Sequence, residues 1–194
     1  MSGAEEYPVE RLSPPQAMPD TARVFFALWP DDAVRAALAR LARSLHQECG
    51  GRMIPARNIH LTLVFLGNVA TGRVPDLHAL AATIVAPPVD LTVDAVDYWR
   101  HNRIAWAGTA NCPETLRTLV AQLTHALRTA GFRCEDREYA PHITLLRDAR
   151  RSPAVKAAGG IAWRACDFVL MQSLRRNGAV VYEAIGRWPL GDAL

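Results

Sequence analysis

Two short stretches constrain how this chain can fold: Asn58-Ile59-His60-Leu61-Thr62-Leu63-Val64-Phe65-Leu66-Gly67 and Pro141-His142-Ile143-Thr144-Leu145-Leu146, each containing the pattern His, aliphatic, Thr, aliphatic. In an extended strand successive side chains alternate between faces, so His60 shares a face with Thr62 and His142 with Thr144, while Leu61, Leu63, Ile143 and Leu145 take the other. One such triplet is a weak signal, because a lone histidine on a half-buried strand is often just a satisfied polar residue. Two copies in apolar surroundings point to a pair of strands, each offering an imidazole and a hydroxyl to one small charged group.

The surroundings repeat as well. Residues 23–29 form an apolar, aromatic run that reads as a strand ending at Pro30. Pro30-Asp31-Asp32 then opens a helix in which Val34, Leu38, Leu41 and Leu45 recur at helical spacing until Gly50-Gly51, with Arg35, Arg40 and Arg43 on its solvated side. The first histidine strand spans residues 58–67. In the second half a strand over residues 103–107 is followed by what reads as the longest helix. Asn111-Cys112-Pro113-Glu114 opens it and Leu116, Leu119, Val120, Leu123 and Leu127 line it up to Gly131. The second histidine strand closes at Arg147.

Strand, helix, histidine strand thus occurs twice at near-equal spacing. The pattern predicts an α+β fold: two pseudo-symmetric lobes of mostly antiparallel sheet with outer helices, enclosing a central cleft with both histidine strands at its middle. A helix over residues 74–85, a strand over 90–96, a loop or short helix over 152–160 and a terminal hairpin of strands 165–172 and 179–186 complete the reading. Trp188-Pro189-Leu190 caps the hairpin.

At 194 residues, half of them apolar, the chain can bury a substantial core as one bilobal domain over residues 21–194. Residues 1–20 carry Glu5, Glu6, Glu10 and four prolines without an apolar run, and read as a disordered tail, neither a signal peptide nor a membrane anchor. A net charge of +3 permits a phosphorylated substrate without demanding nucleic acid. Cys49, Cys112, Cys134 and Cys166 form no Cys-x-x-Cys pair, so reduced thiols in a cytoplasmic protein are expected. His78 and His125 fall on helix surfaces and His101 in a turn, and none joins the pattern.

Histidine titrates near neutrality, so of two facing imidazoles one can accept a proton while the other donates one, which is what opening a phosphodiester requires. The Thr62 and Thr144 hydroxyls are placed to hold charge on the non-bridging oxygens. Arg147 adds a cation, but its parity puts it on the opposite face of an ideal strand, so it needs a bulge or a strand end to reach in. Metal is the rival reading of paired histidines. Zinc sites take three or four protein ligands, and no acid or cysteine at ligand spacing accompanies either copy. A serine or cysteine nucleophile is also weakly supported, since no nucleophile elbow is present.

These motifs, together with residues 23–28, Arg147 and the terminal Arg187-Trp188-Pro189-Leu190, resemble the two-histidine phosphoesterase superfamily and, within it, the bacterial RNA 2′,3′-cyclic phosphodiesterases, also called 2′-5′ RNA ligases. The resemblance covers residues 23–190. It implies hydrolysis of a 2′,3′-cyclic phosphate RNA end to a 2′-phosphomonoester without metal or other cofactor. His60 would be the proton donor, His142 the proton acceptor, and Thr62, Thr144 and Arg147 the phosphate ligands. Phe25 matches an aromatic at the cleft wall that can stack on a base. The implied partner is RNA with a cyclic phosphate end, tRNA-like fragments included, acted on by a monomer away from membranes.

Two departures bear on substrate preference. Trp29 stands where relatives commonly have an acid, and Glu138-Tyr139 where they have Pro-Phe. Neither falls on a histidine or threonine position of the motifs. A non-catalytic RNA or nucleotide-binding module, and a cyclic phosphodiesterase acting on a small nucleotide, stay open as alternatives. A basic cleft rim would favour RNA, with Arg147, Arg150, Arg151, Arg175 and Arg176 as candidates.

Overall fold

The first apolar run becomes strand β1, Thr21–Leu28, and the helix after it, α1, Asp32–Cys49, starts where Asp31 accepts a hydrogen bond from the Val34 amide at 2.8 Å. That cap satisfies one of the orphan donors of the first turn. The computed structural model describes residues 20–154 and 156–191, so the tail expected over residues 1–20 lies outside the described residues except for its last. After α1 come β2 (Arg52–Met53), β3 (Leu61–Ala70), α2 (Val74–Ala81), β4 (Val89–Trp99) and β5 (Ile104–Gly108). Then come α3 (Glu114–Thr129), β6 (Ile143–Arg147), β7 (Ala157–Ala165), β8 (Asp167–Arg176) and β9 (Ala179–Pro189).

Two antiparallel sheets result, one in the order β3-β1-β8-β9 and the other β2-β6-β5-β4-β7. Setting β2 aside, the orders match element for element: a histidine strand, the strand preceding it in sequence, then two further strands. The expected α+β architecture of two pseudo-symmetric sheets is therefore the observed one.

The halves are also interleaved. α1 packs against β6 and β7 of the other sheet, α3 against β3 as well as β4, and β2 pairs with β6. Leu38 and Leu61 from the first half share one contiguous core with Leu119, Leu123 and Ile143 from the second. Each such leucine, fully buried, contributes about 1.5–3 kcal/mol over an exposed one. A separate small cluster of Phe25, Ala27, Val169 and Met171, flanked by Trp29, Phe65 and Tyr182, contributes Phe25, Phe65 and Tyr182 to the lining of the cleft.

Several expected boundaries shift. β3 runs on through Gly67, whose φ of 70° suits glycine, and keeps pairing with β1 as far as Ala70. α2 ends at Ala81 and not at residue 85, where the Thr83 hydroxyl bonds the Leu80 carbonyl and competes with the helix. α1, at 18 residues, is longer than α3 at 16. The loop or short helix expected over residues 152–160 gives way to strand β7 from Ala157 onward. Gly159 and Gly160, both at positive φ, disguise it, and pairing with β4 secures it. His78 is not a free surface histidine, since its ring packs edge-on against Trp188 at 5.5 Å.

Candidate active site

His60 and His142 each stand one residue before their strand and not within it. For His60 the cause is local: a 3₁₀ turn over Ala56–Asn58 delivers the chain so that the imidazole Nδ1 meets the Asn58 carbonyl at 2.7 Å. His142 repeats the arrangement, with Nδ1 2.9 Å from the Ala140 carbonyl. A carbonyl only accepts, so in each ring Nδ1 carries the hydrogen and Nε2 is left with the working lone pair. Nε2 of His60 lies 3.1 Å from the Thr62 hydroxyl, the same-face partner expected from strand alternation. Asn58 is itself buried, and its side-chain amide donates to the Val180 carbonyl at 3.0 Å, tying the residue that holds His60 to β9.

Aromatic rings surround both imidazoles. Trp29 stacks on His60 at 5.5 Å and 11°, Phe25 lies 4.9 Å away, and Tyr182 meets it edge-on at 5.3 Å. Around His142, Trp99 approaches edge-on at 4.6 Å and Trp106 at 6.4 Å. Burial pushes the His60 pKa down to about 4; the Asn58 carbonyl opposes this, while His142 and Arg147 reinforce it. Burial also lowers His142, against the pull of the Ala140 carbonyl. In the protein alone, both rings are therefore predominantly neutral at neutral pH.

Each histidine strand bulges at the same place. Ala27 pairs with Thr62 and Phe26 with Val64, leaving Leu63 as the extra residue, while Trp106 pairs with Thr144 and Ala105 with Leu146, leaving Leu145. An extra residue reverses the parity of the positions that follow it until another irregularity intervenes, so Phe65 returns to the face of Thr62 and Arg147 to that of Thr144. Arg147 thereby reaches the cleft that His60, His142, Thr62 and Thr144 also line. Gly51, at φ 88°, lets the chain after α1 pass against this strand end, because a Cβ there would lie 2.7 Å from the Arg147 carbonyl oxygen.

The cleft thus brings together His60, His142, Thr62, Thr144, Arg147 and Phe25. Phe25 is only 4% exposed, its ring set against His60 and Tyr182. Of the proposed basic rim, Arg147 and Arg175 line the cleft; Arg150, Arg151 and Arg176 do not. His125 is exposed on α3, as expected, and also lines the cleft. Sequence patterning does not single out Asn58, Tyr182, Trp99 or Trp106, and it marks Tyr139 only as a departure from relatives. The Tyr139 hydroxyl donates to the Thr62 carbonyl at 3.1 Å, so the segment before the second motif holds the backbone of the first. Among the described residues, no three His, Cys, Asp or Glu side chains are grouped so as to hold a metal ion.

A family model described as LigT like Phosphoesterase matches residues 28–106 and 108–182. The RNA 2′,3′-cyclic phosphodiesterase of Escherichia coli is 31% identical over 174 residues, covering 89% of this chain and 99% of that protein. The protein of the same name from Thermus thermophilus is 28% identical over 183 residues, covering 87% and 90%. The crystal structure of E. coli LigT complexed with 3′-AMP superposes with a TM-score of 0.82 at 30% identity, covering 89% of this chain and 99% of that one.

Proposed function

The chain belongs to the LigT-like phosphoesterase family, and from that membership and the geometry of its cleft we propose that it is an RNA 2′,3′-cyclic phosphodiesterase, yielding a 2′-phosphomonoester. The observation that carries the reading is that two imidazoles, each locked by a carbonyl two residues upstream, line one cleft.

A cyclic phosphate anion between the rings stabilises their charged forms and raises the pKa values that burial depresses, so substrate entry takes up the proton that catalysis uses. His142 Nε2 accepts a proton from water as its oxygen bonds to phosphorus. The phosphorus–O3′ bond breaks, and His60 Nε2–H returns a proton to O3′. The Thr62 and Thr144 hydroxyls donate to the non-bridging oxygens, and Arg147 offsets the charge that grows there. For Phe25 we propose a supporting part, holding the His60 ring at its angle, since so little of its own face is free. With a 5′ hydroxyl in place of water as the attacking group, the same transfers in the same direction give 2′-5′ ligation.

We place the protein in the cytoplasm, where reduced thiols are the rule, as a monomer acting on RNA ends, tRNA-like fragments among them. Among the described residues no helix is long and apolar enough to cross a membrane. His60→Ala and His142→Ala should each lower kcat by about 10²–10⁴ with an unchanged circular dichroism spectrum. Full turnover in either variant would remove that imidazole from the mechanism.

A further inference from the structure

Setting aside Arg147, assigned above to the reacting phosphate, the cleft arginines divide by pairing. Four are matched by a carboxylate: Arg52 by Asp148 at 3.6 Å, Arg117 by Glu114 at 3.0 Å, Arg128 by Asp136 at 2.7 Å and Arg137 by Glu135 at 2.7 Å. On the side of the first motif lie Arg23 on β1, Arg57 in the turn before His60 and Arg175 on β8. Among the described residues none of these three has a carboxylate within 4.0 Å.

They also share one surface. β1 and β8 are neighbours with Val24 opposite Gln172 and Phe25 opposite Met171, so Arg23 and Arg175 stand on the cleft face that carries Phe25. The Arg23 guanidinium lies over the Phe65 ring at 4.8 Å, and Tyr182 stands on the same wall. Unneutralised arginines interleaved with aromatic rings are what single-stranded nucleic acid binds, phosphates on the cations and bases on the rings. The cleft, at about 1590 Å³, exceeds the roughly 300–1,000 Å³ usual for a small-molecule site.

Resting on the cyclic phosphodiesterase reading, we propose that the wall of Arg23, Arg57 and Arg175 binds the phosphates of the RNA strand leading to the cyclic end. Arg52, Arg117, Arg128 and Arg137, already matched by carboxylates, leave the strand free of them. The chain is thereby tuned to oligonucleotide ends over cyclic mononucleotides.

The test compares kcat/KM for a cyclic mononucleotide and for a five-nucleotide RNA ending in 2′,3′-cyclic phosphate, in the wild type and in Arg23→Gln, Arg57→Gln and Arg175→Gln, across a salt series. The wild type should favour the longer substrate, with a log–log salt slope near about −2 for three contacts on a single strand. Each variant should make that slope shallower by about 0.7 and lose about tenfold more on the oligonucleotide than on the mononucleotide. Turnover of both substrates with no length preference, or equal fractional losses on both, would overturn the proposal while leaving the reaction assignment standing. Turnover of neither by the wild type would bring down the reaction assignment and this proposal with it.

Discussion

One backbone carbonyl two residues upstream decides the tautomer of each imidazole, and the rings packed around it decide the cost of charging it. The repeated His and Thr were legible in the sequence because they recur. The Asn58 and Ala140 carbonyls were not, since a backbone acceptor leaves no side-chain signature. Phe25 could be read as a cleft aromatic, but its contact with His60 depends on how the chain before β3 lies over the sheet. The depressed His60 pKa has a consequence for folding. The unfolded chain takes a proton near pH 6.5 and the folded one only near about 4, so stability is full above pH 6.5 and declines as pH falls toward 4. His142 shifts in the same direction and adds to the decline. For His60 the loss is on the order of 3 kcal/mol. Urea denaturation from pH 7 to pH 4 should show a shallower loss in His60→Gln than in the wild type, and parallel curves would mean that His60 is not buried as described.

The bulges at Leu63 and Leu145 show what strand periodicity could and could not reveal. Parity alone put Arg147 on the wrong face and identified a bulge as the remedy; only the observed pairing located it at Leu145. β7 escaped notice for a related reason, because a glycine pair inside a strand reads as a loop until its partner β4 is known. The α3 stripe of Leu116, Leu119, Leu123 and Leu127 was legible because it is a local property of the helix, whereas the end of α2 at Ala81 was not. If the bulge serves to aim Arg147, then Arg147→Gln should lower kcat by about 10²-fold, the scale of losing one group that stabilises the developing charge. Single-turnover rates would read this directly, and an unchanged rate would return Arg147 to the status of a solvated strand-end charge.

The pseudo-twofold arrangement of the whole molecule was visible as a repeated order of elements, and the matching strand orders of the two sheets bear it out. Its interleaving was not visible, because α1 lying on β6 and β7, and Tyr139 bonding to Thr62, are long-range contacts that no local pattern encodes. Those contacts tie the halves together and so hold both imidazoles on one cleft. On the proposed mechanism, what they serve is the attack of water on a single phosphorus atom with the two imidazoles as base and acid and no metal. The most direct test is one turnover of an RNA ending in 2′,3′-cyclic phosphate in ¹⁸O-labelled water with excess chelator, the product read by ³¹P NMR and mass. A 2′-phosphomonoester carrying one ¹⁸O, formed at the rate seen without chelator, is the expected result; a 3′-phosphomonoester, or a rate abolished by the chelator, would contradict it.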